Sequence, residues 1–187
     1  MDQKATPVSV FIDSNAWNVL YQQEVDLRSH LPVDGFSVFI TREVEVEILA
    51  IPDNDAKAGL KHYIMEALQS REVTIVANIG FREAGPTSAP LGHGTFRSAK
   101  DRAWYARPEN QRHILGKIVR PTGLGKNEAD ASLAVRADRS IILTNDKKGG
   151  PLADAARAFG TVVSLANFDG TRMPLSQYIS ERIREGR

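Results

Sequence analysis

Residues 8–15 read Val8-Ser9-Val10-Phe11-Ile12-Asp13-Ser14-Asn15, a run of β-branched and aromatic residues of strand length that stops at a carboxylate. Four further runs share that length and composition: Phe36 to Ile40, Val73 to Ala77, Ile141 to Thr144 and Thr161 to Ser164. The stretches between them carry helical patterns, clearest at Ala56 to Ser70, Asn127 to Ala137, Pro151 to Phe159 and Pro174 to Glu185. Strands alternating with helices predict a sheet whose neighbours are joined by crossovers and covered on both faces. The expected fold is therefore α/β, a three-layer α/β/α sandwich on a central, mainly parallel five-stranded sheet.

The chain has 187 residues, 42% hydrophobic and 25% charged, which suits one globular domain spanning 1–187 and excludes disordered or fibrous classes. It contains no cysteine, so disulfides, thiol nucleophiles and thiolate zinc sites are all excluded and a reducing compartment fits. Met1 to Lys4 lead directly into the first apolar run, with neither a signal-peptide core nor a membrane-length apolar span. The expectation is a soluble, cytoplasmic protein with no membrane partner. Residues 78–126 depart from the strand and helix rhythm: Gly85, Pro86, Pro90, Gly92, Gly94, Pro108 and Gly116 break every long pattern, leaving room for short helices only, at Ala99 to Tyr105 and Asn110 to Val119. This segment reads as an insertion, and loops of such length in compact domains are usually functional or mobile.

In open parallel sheets ligands bind beyond the carboxyl ends of the strands, so the residues that follow each apolar run matter most. Asp13 follows the first run, and Asp146 follows Ile141 to Thr144 with only Asn145 between. Each also has a plain structural reading, Asp13 as the cap of a helix through Trp17 and Leu20 and Asp146 as a turn residue before Lys147-Lys148-Gly149-Gly150. Two more acids fall on helix faces. With a helix over residues 42–51 capped by Thr41, Val44, Ile48 and Ile51 form an apolar stripe that includes Glu47, and Glu43 and Glu45 become first-turn acids facing water. The alternation Val44-Glu45-Val46-Glu47-Ile48 also admits a strand with its acids solvated. In Asn127 to Ala137, Asp130 continues the face of Leu133, Ala134 and Ala137, while Glu128 starts the same helix and is either a second inward acid or a helix-dipole acid.

Several carboxylates buried together raise one another's pKa, and a cation resolves the conflict. Hard oxygen donors without His or Cys select Mg²⁺ or Mn²⁺, as one or two ions, and the matching chemistry is phosphodiester hydrolysis by metal-activated water.

With these residues in view, the chain resembles the PIN-domain family of metal-dependent nucleases, including the VapC-like toxins of type II toxin–antitoxin pairs. Val10 to Asn15 looks like the family's opening strand with its Asp, small hydroxyl residue and Asn. Thr41 to Leu49 resembles the second motif, a Ser or Thr leading six residues on to a Glu and an apolar pair, here Glu47-Ile48-Leu49. Asn127 to Ala131 resembles the third, an acid opening a small-residue helix, and Ile141 to Asp146 the fourth, an apolar strand followed by Thr, any residue and Asp. The resemblance covers roughly residues 8–77 and 124–165 and rests on the order and spacing of four motifs. It implies a catalytic and metal-binding quartet of Asp13, Glu47, Asp130 and Asp146, with Ser14, Asn15 and Thr144 as polar supports. Two acids occupy the third motif, so Glu128 either joins or replaces Asp130 as a metal ligand. The insertion at 78–126 is longer than the compact toxins carry there. The implied activity is a Mg²⁺- or Mn²⁺-dependent endoribonuclease with RNA as substrate, and a toxin would add an antitoxin protein and a homodimer as partners. Rival readings are a nuclease for structured DNA and a non-catalytic nucleic-acid-binding or assembly module.

Charge is polarised along the chain, net −6 over residues 1–81, +6 over 82–126 and +1 over 127–187. A basic block is either a solvated loop or a surface for an anionic partner. Here cations interleave with aromatic rings, and Arg97, Lys100, Arg102, Trp104, Tyr105 and Arg107 are the candidate substrate-binding residues, in a segment that runs on to Arg120. The C-terminal stripe Leu175, Tyr178, Ile179 and Ile183 either docks on the chain's own sheet or meets a partner. Gly123-Leu124-Gly125-Lys126 lacks the hydroxyl residue and first glycine of a phosphate loop and reads as a turn. His30, His62, His93 and His113 never reach metal-ligand spacing with one another, and Trp17, Leu20, Leu60 and Tyr63 read as packing residues. A receiver domain is disfavoured because the third strand, ending Val76-Ala77-Asn78, lacks its phosphoacceptor Asp.

Overall fold

The computed structural model describes residues 6–70, 72–76, 99, 103–104, 106–108, 120–125, 127–146 and 149–186. Within them the chain runs β1 (Val8–Ile12), α1 (Ala16–Gln22), α2 (Leu27–His30), β2 (Phe36–Thr41), α3 (Arg42–Leu49), α4 (Asp55–Gln69), β3 (Val73–Val76), α5 (Glu128–Ala134), β4 (Ile141–Thr144), α6 (Pro151–Phe159), β5 (Val162–Ser164) and α7 (Leu175–Glu185). All neighbouring strands are parallel and their order is β3-β2-β1-β4-β5. Val10 lies beside Val38 on one side and Ile141 on the other. β1 is therefore central, and the direction of strand addition reverses between β1 and β4.

Both faces of the sheet are covered, because successive strand residues point to opposite faces and Val10, Phe11 and Ile12 are all buried, as are Ile141 to Thr144. Helix α1 packs on α4, while α3 packs on α5 and α5 on α6. This is the expected three-layer sandwich, in which Trp17 and Leu20 from α1 and Leu60 and Ile64 from α4 join one core with the strands.

Local chemistry explains the element ends. Thr41 Oγ1 accepts the Val44 amide at 3.3 Å, so residues 42–49 begin as a capped helix, and the alternating strand pattern there is overridden. Helix α6 has Pro151 in its first turn and stops at Gly160, whose φ of 66° suits a residue without Cβ. The apolar stripe of α7 docks on its own chain: Leu175, Tyr178 and Ile179 are buried, and the Tyr178 hydroxyl donates to the Ser164 carbonyl at 2.8 Å. Among the described residues, no helix is long and apolar enough to cross a membrane. Most of the expected insertion at 78–126, including Arg97, Lys100, Arg102 and Tyr105, lies outside the described residues.

Candidate active site

Asp13 leaves the end of β1 into the crevice made by the reversal of strand order, its amide still bonded to the Leu143 carbonyl of β4 at 2.9 Å. Its carboxylate is 1% exposed and accepts the Ser14 amide at 2.7 Å on Oδ1 and the Thr144 hydroxyl at 2.8 Å on Oδ2. The capping alternative is thereby decided, since none of the carboxylate's hydrogen bonds goes to an amide of α1. Thr144 is held in turn by the Asp146 amide, which donates to its hydroxyl at 3.0 Å. Asn15 Oδ1 accepts the Asn145 amide at 2.7 Å and lies 3.2 Å from the Thr144 hydroxyl, which ties the loop after β1 to the loop after β4. The three expected polar supports thus sit where they can orient Asp13.

Glu47 reaches the same crevice from the last turn of α3. Val44 and Ile48 beside it are fully buried, and its own side chain is only 13% exposed. Ser14 Oγ donates to Glu47 Oε2 at 2.6 Å, linking the first and second motifs through one hydroxyl. On the other oxygen the carboxylate is ion-paired with Arg120, from the end of the basic segment.

Asp130, half-buried on α5, completes the electrostatic picture. Burial, and then the negative charges of Glu47 and Asp146, push its pKa up to about 6, opposed by Arg120. Burial and the charge of Asp130 lift Asp13 to about 7, with Glu47 adding to the rise and the Thr144 hydrogen bond opposing it. Four carboxylates from four separate segments therefore share one field. Glu128 is turned back to the start of its own helix: Gly125 N donates to Glu128 Oε2 at 2.8 Å while Glu128 N donates to the Gly125 carbonyl at 3.1 Å. That reciprocal pair ties one Glu128 oxygen to the segment before α5, whereas Asp130 is the third-motif acid whose charge acts on Asp13.

Among the described residues, no three His, Cys, Asp or Glu side chains converge closely enough to enclose a single ion. The donor set still fits a hard cation. All four groups offer oxygen, two of them are held above the usual carboxylate range by burial and mutual repulsion, and Mg²⁺ needs only one or two carboxylates because it keeps several waters. Asp13, Glu47, Asp130 and Asp146 are the residues that would hold it.

Two expectations need correction. Glu43, read as a water-facing first-turn acid, is 5% exposed and accepts the Ser132 hydroxyl of α5 at 2.9 Å. It stands one turn before Glu47, so the spacing that turned Glu47 inward carried Glu43 with it. Trp104, read as a base-stacking ring, is 7% exposed and belongs to the hydrophobic core, which removes its faces from a passing strand. Arg107 is exposed, as a phosphate contact requires. Arg120 entered the sequence reading only as part of a basic run. Its place beside Glu47 depends on a contact 73 residues apart in the chain, for which no local pattern exists. Arg120 to Gly123 form a turn, closed by the Gly123 amide on the Arg120 carbonyl at 2.9 Å, so the turn precedes the expected Gly123-to-Lys126 stretch, of which Lys126 lies outside the described residues.

No protein-family model, curated protein or solved structure matches this chain.

Proposed function

We propose that the protein is a Mg²⁺- or Mn²⁺-dependent endoribonuclease of PIN-like type, with the VapC-like toxin branch as its nearest functional setting. The observation that carries this reading is the gathering of Asp13, Glu47, Asp130 and Asp146 at the crevice between β1 and β4, the place where a parallel sheet with this strand order binds ligands. Bound there, the ion would supply charge neutralisation at the phosphate and a water of lowered pKa. The chain's own part is positional. Ser14 N and Thr144 fix the Asp13 carboxylate, Ser14 Oγ fixes Glu47, and Arg120 brings a cation to the edge of an otherwise acidic site.

The test is incubation of the purified protein with a mixture of RNA and single-stranded DNA in Mn²⁺ or in EDTA. RNA shortening in Mn²⁺ that EDTA abolishes is the expected result. Selective loss of the DNA makes the protein a DNA nuclease, and intact nucleic acid under all conditions removes the catalytic reading.

A further inference from the structure

Beside the acidic crevice, on the outer side of Glu47, lies a cleft of about 350 Å³, nucleotide-scale among small-molecule sites. It is lined by the amides of Asn15, just before α1, and Asn18 of α1, by the cations Lys57 of α4 and Arg120, and by the aliphatic side chains of Ile51 and Leu60. Ser14 and Glu47 also line it, so cleft and crevice are continuous.

Three features of these walls point to one ligand class. Lys57 is exposed and makes no ion pair among the described residues, although it lines the same cleft as Glu47. The Arg120 guanidinium, 44% exposed, holds Glu47 through one nitrogen, and a guanidinium has five N–H donors in all. The two amides have capacity to spare: Asn15 bonds through its oxygen only, and Asn18 uses its nitrogen on the Asn15 carbonyl at 3.3 Å, which leaves one amide donor and one amide acceptor among the lining groups. Cations, an amide donor and acceptor, and aliphatic surface gathered in one cleft match a phosphate, the polar edge of a base and its flat face.

We propose that this cleft is a substrate subsite that takes the nucleotide adjoining the scissile phosphate, with Lys57 and Arg120 on its phosphate and Asn15 and Asn18 on the edge of its base. The assignment deepens the nuclease reading and rests on it for the placing of the scissile bond. It also gives the polyanion an entry that the four carboxylates alone would repel.

The experiment uses the full chain in EDTA, where nothing is cleaved. Adenosine and uridine 5′-monophosphates are titrated into ¹⁵N-labelled protein, with inorganic phosphate as a parallel titrant, and a fluorescein-labelled single-stranded RNA is bound by the native chain and by Lys57→Ala. The expected result is amide shifts at Asn15, Asn18 and Lys57 with the nucleotides that phosphate alone does not reproduce at the two asparagines. Lys57→Ala should bind the RNA about three- to tenfold more weakly, with a log–log salt slope shallower by about 0.7. Shifts confined to Lys57 and equal for phosphate, or unchanged RNA affinity and slope in Lys57→Ala, overturn the subsite. A protein that cleaves RNA in Mn²⁺ yet fails these binding tests loses the subsite alone. One that shows the nucleotide shifts but never cleaves retains the cleft as a nucleotide site and loses the nuclease reading.

Discussion

At the scale of single residues, Asp13 is the most consequential group in the molecule. Its pKa of about 7, against an ordinary value of 3.8, means that the folded, metal-free chain holds a proton that the unfolded chain releases. The stability tied to that proton is fully present below about pH 4 and is lost as pH rises through about 7, and Asp130, at about 6, adds to the loss in the same direction. Urea unfolding in EDTA should therefore show stability falling between pH 4.5 and 7.5 by an amount on the order of 2–4 kcal/mol, and Asp13→Asn should remove most of that fall. Equal slopes in the two proteins would mean that Asp13 is not the strained carboxylate. The strand-end position of Asp13 was legible in the sequence, because an apolar run that stops at an acid locates the acid at a sheet edge. What the sequence left open was its capping role, which only the Thr144 bond from 131 residues away decides. Glu43 was misread: its place in the first turn suggested a solvated dipole partner, although its spacing of four residues from Glu47 puts it on the same inward face.

Helices α3 and α5 present Glu47 and Asp130 to the same crevice, and the Ser132-to-Glu43 hydrogen bond joins the helices four residues before Glu47 and two after Asp130. Arg136 extends the junction by donating to the Ser132 hydroxyl at 3.1 Å and lying 5.4 Å over the Phe11 ring, so β1 is tied in as well. Ser132→Ala deprives a buried carboxylate of a donor and should cost about 1–3 kcal/mol in urea unfolding. A cost near zero would mean that this hydrogen bond does not hold the two helices together. The basic segment supplies a second prediction at this scale. Replacing Arg97, Arg102 and Arg107 together by Ala should flatten the salt dependence of RNA binding by up to about two log–log units, and an unchanged slope returns the segment to a surface loop. Strands β1 and β4 were readable to their end residues because each is a short, largely apolar run, interrupted in β1 only by Ser9, that gives way to polar residues after Ile12 and Leu143. Helix α2, four residues capped by Asp26, was not, since one turn is too short to show a period.

On the scale of the whole molecule, the order β3-β2-β1-β4-β5 brings together acids that are more than 130 residues apart in sequence. Repeated strand and helix alternation made that architecture readable, whereas the company Arg120 and Trp104 keep was settled by tertiary packing. A toxin built this way should arrest growth when expressed alone, and the Asp13→Asn form should not; unimpaired growth with abundant soluble protein would favour a housekeeping role. The central claim, that the four-carboxylate crevice is a metal-dependent catalytic site for RNA, is tested most directly by single-turnover cleavage of a labelled RNA in Mn²⁺ by the native chain, Asp13→Asn and Asp146→Asn. Loss of cleavage in both variants, each still folded by circular dichroism, is the predicted result; full activity in both, with contaminating nuclease excluded, would contradict it.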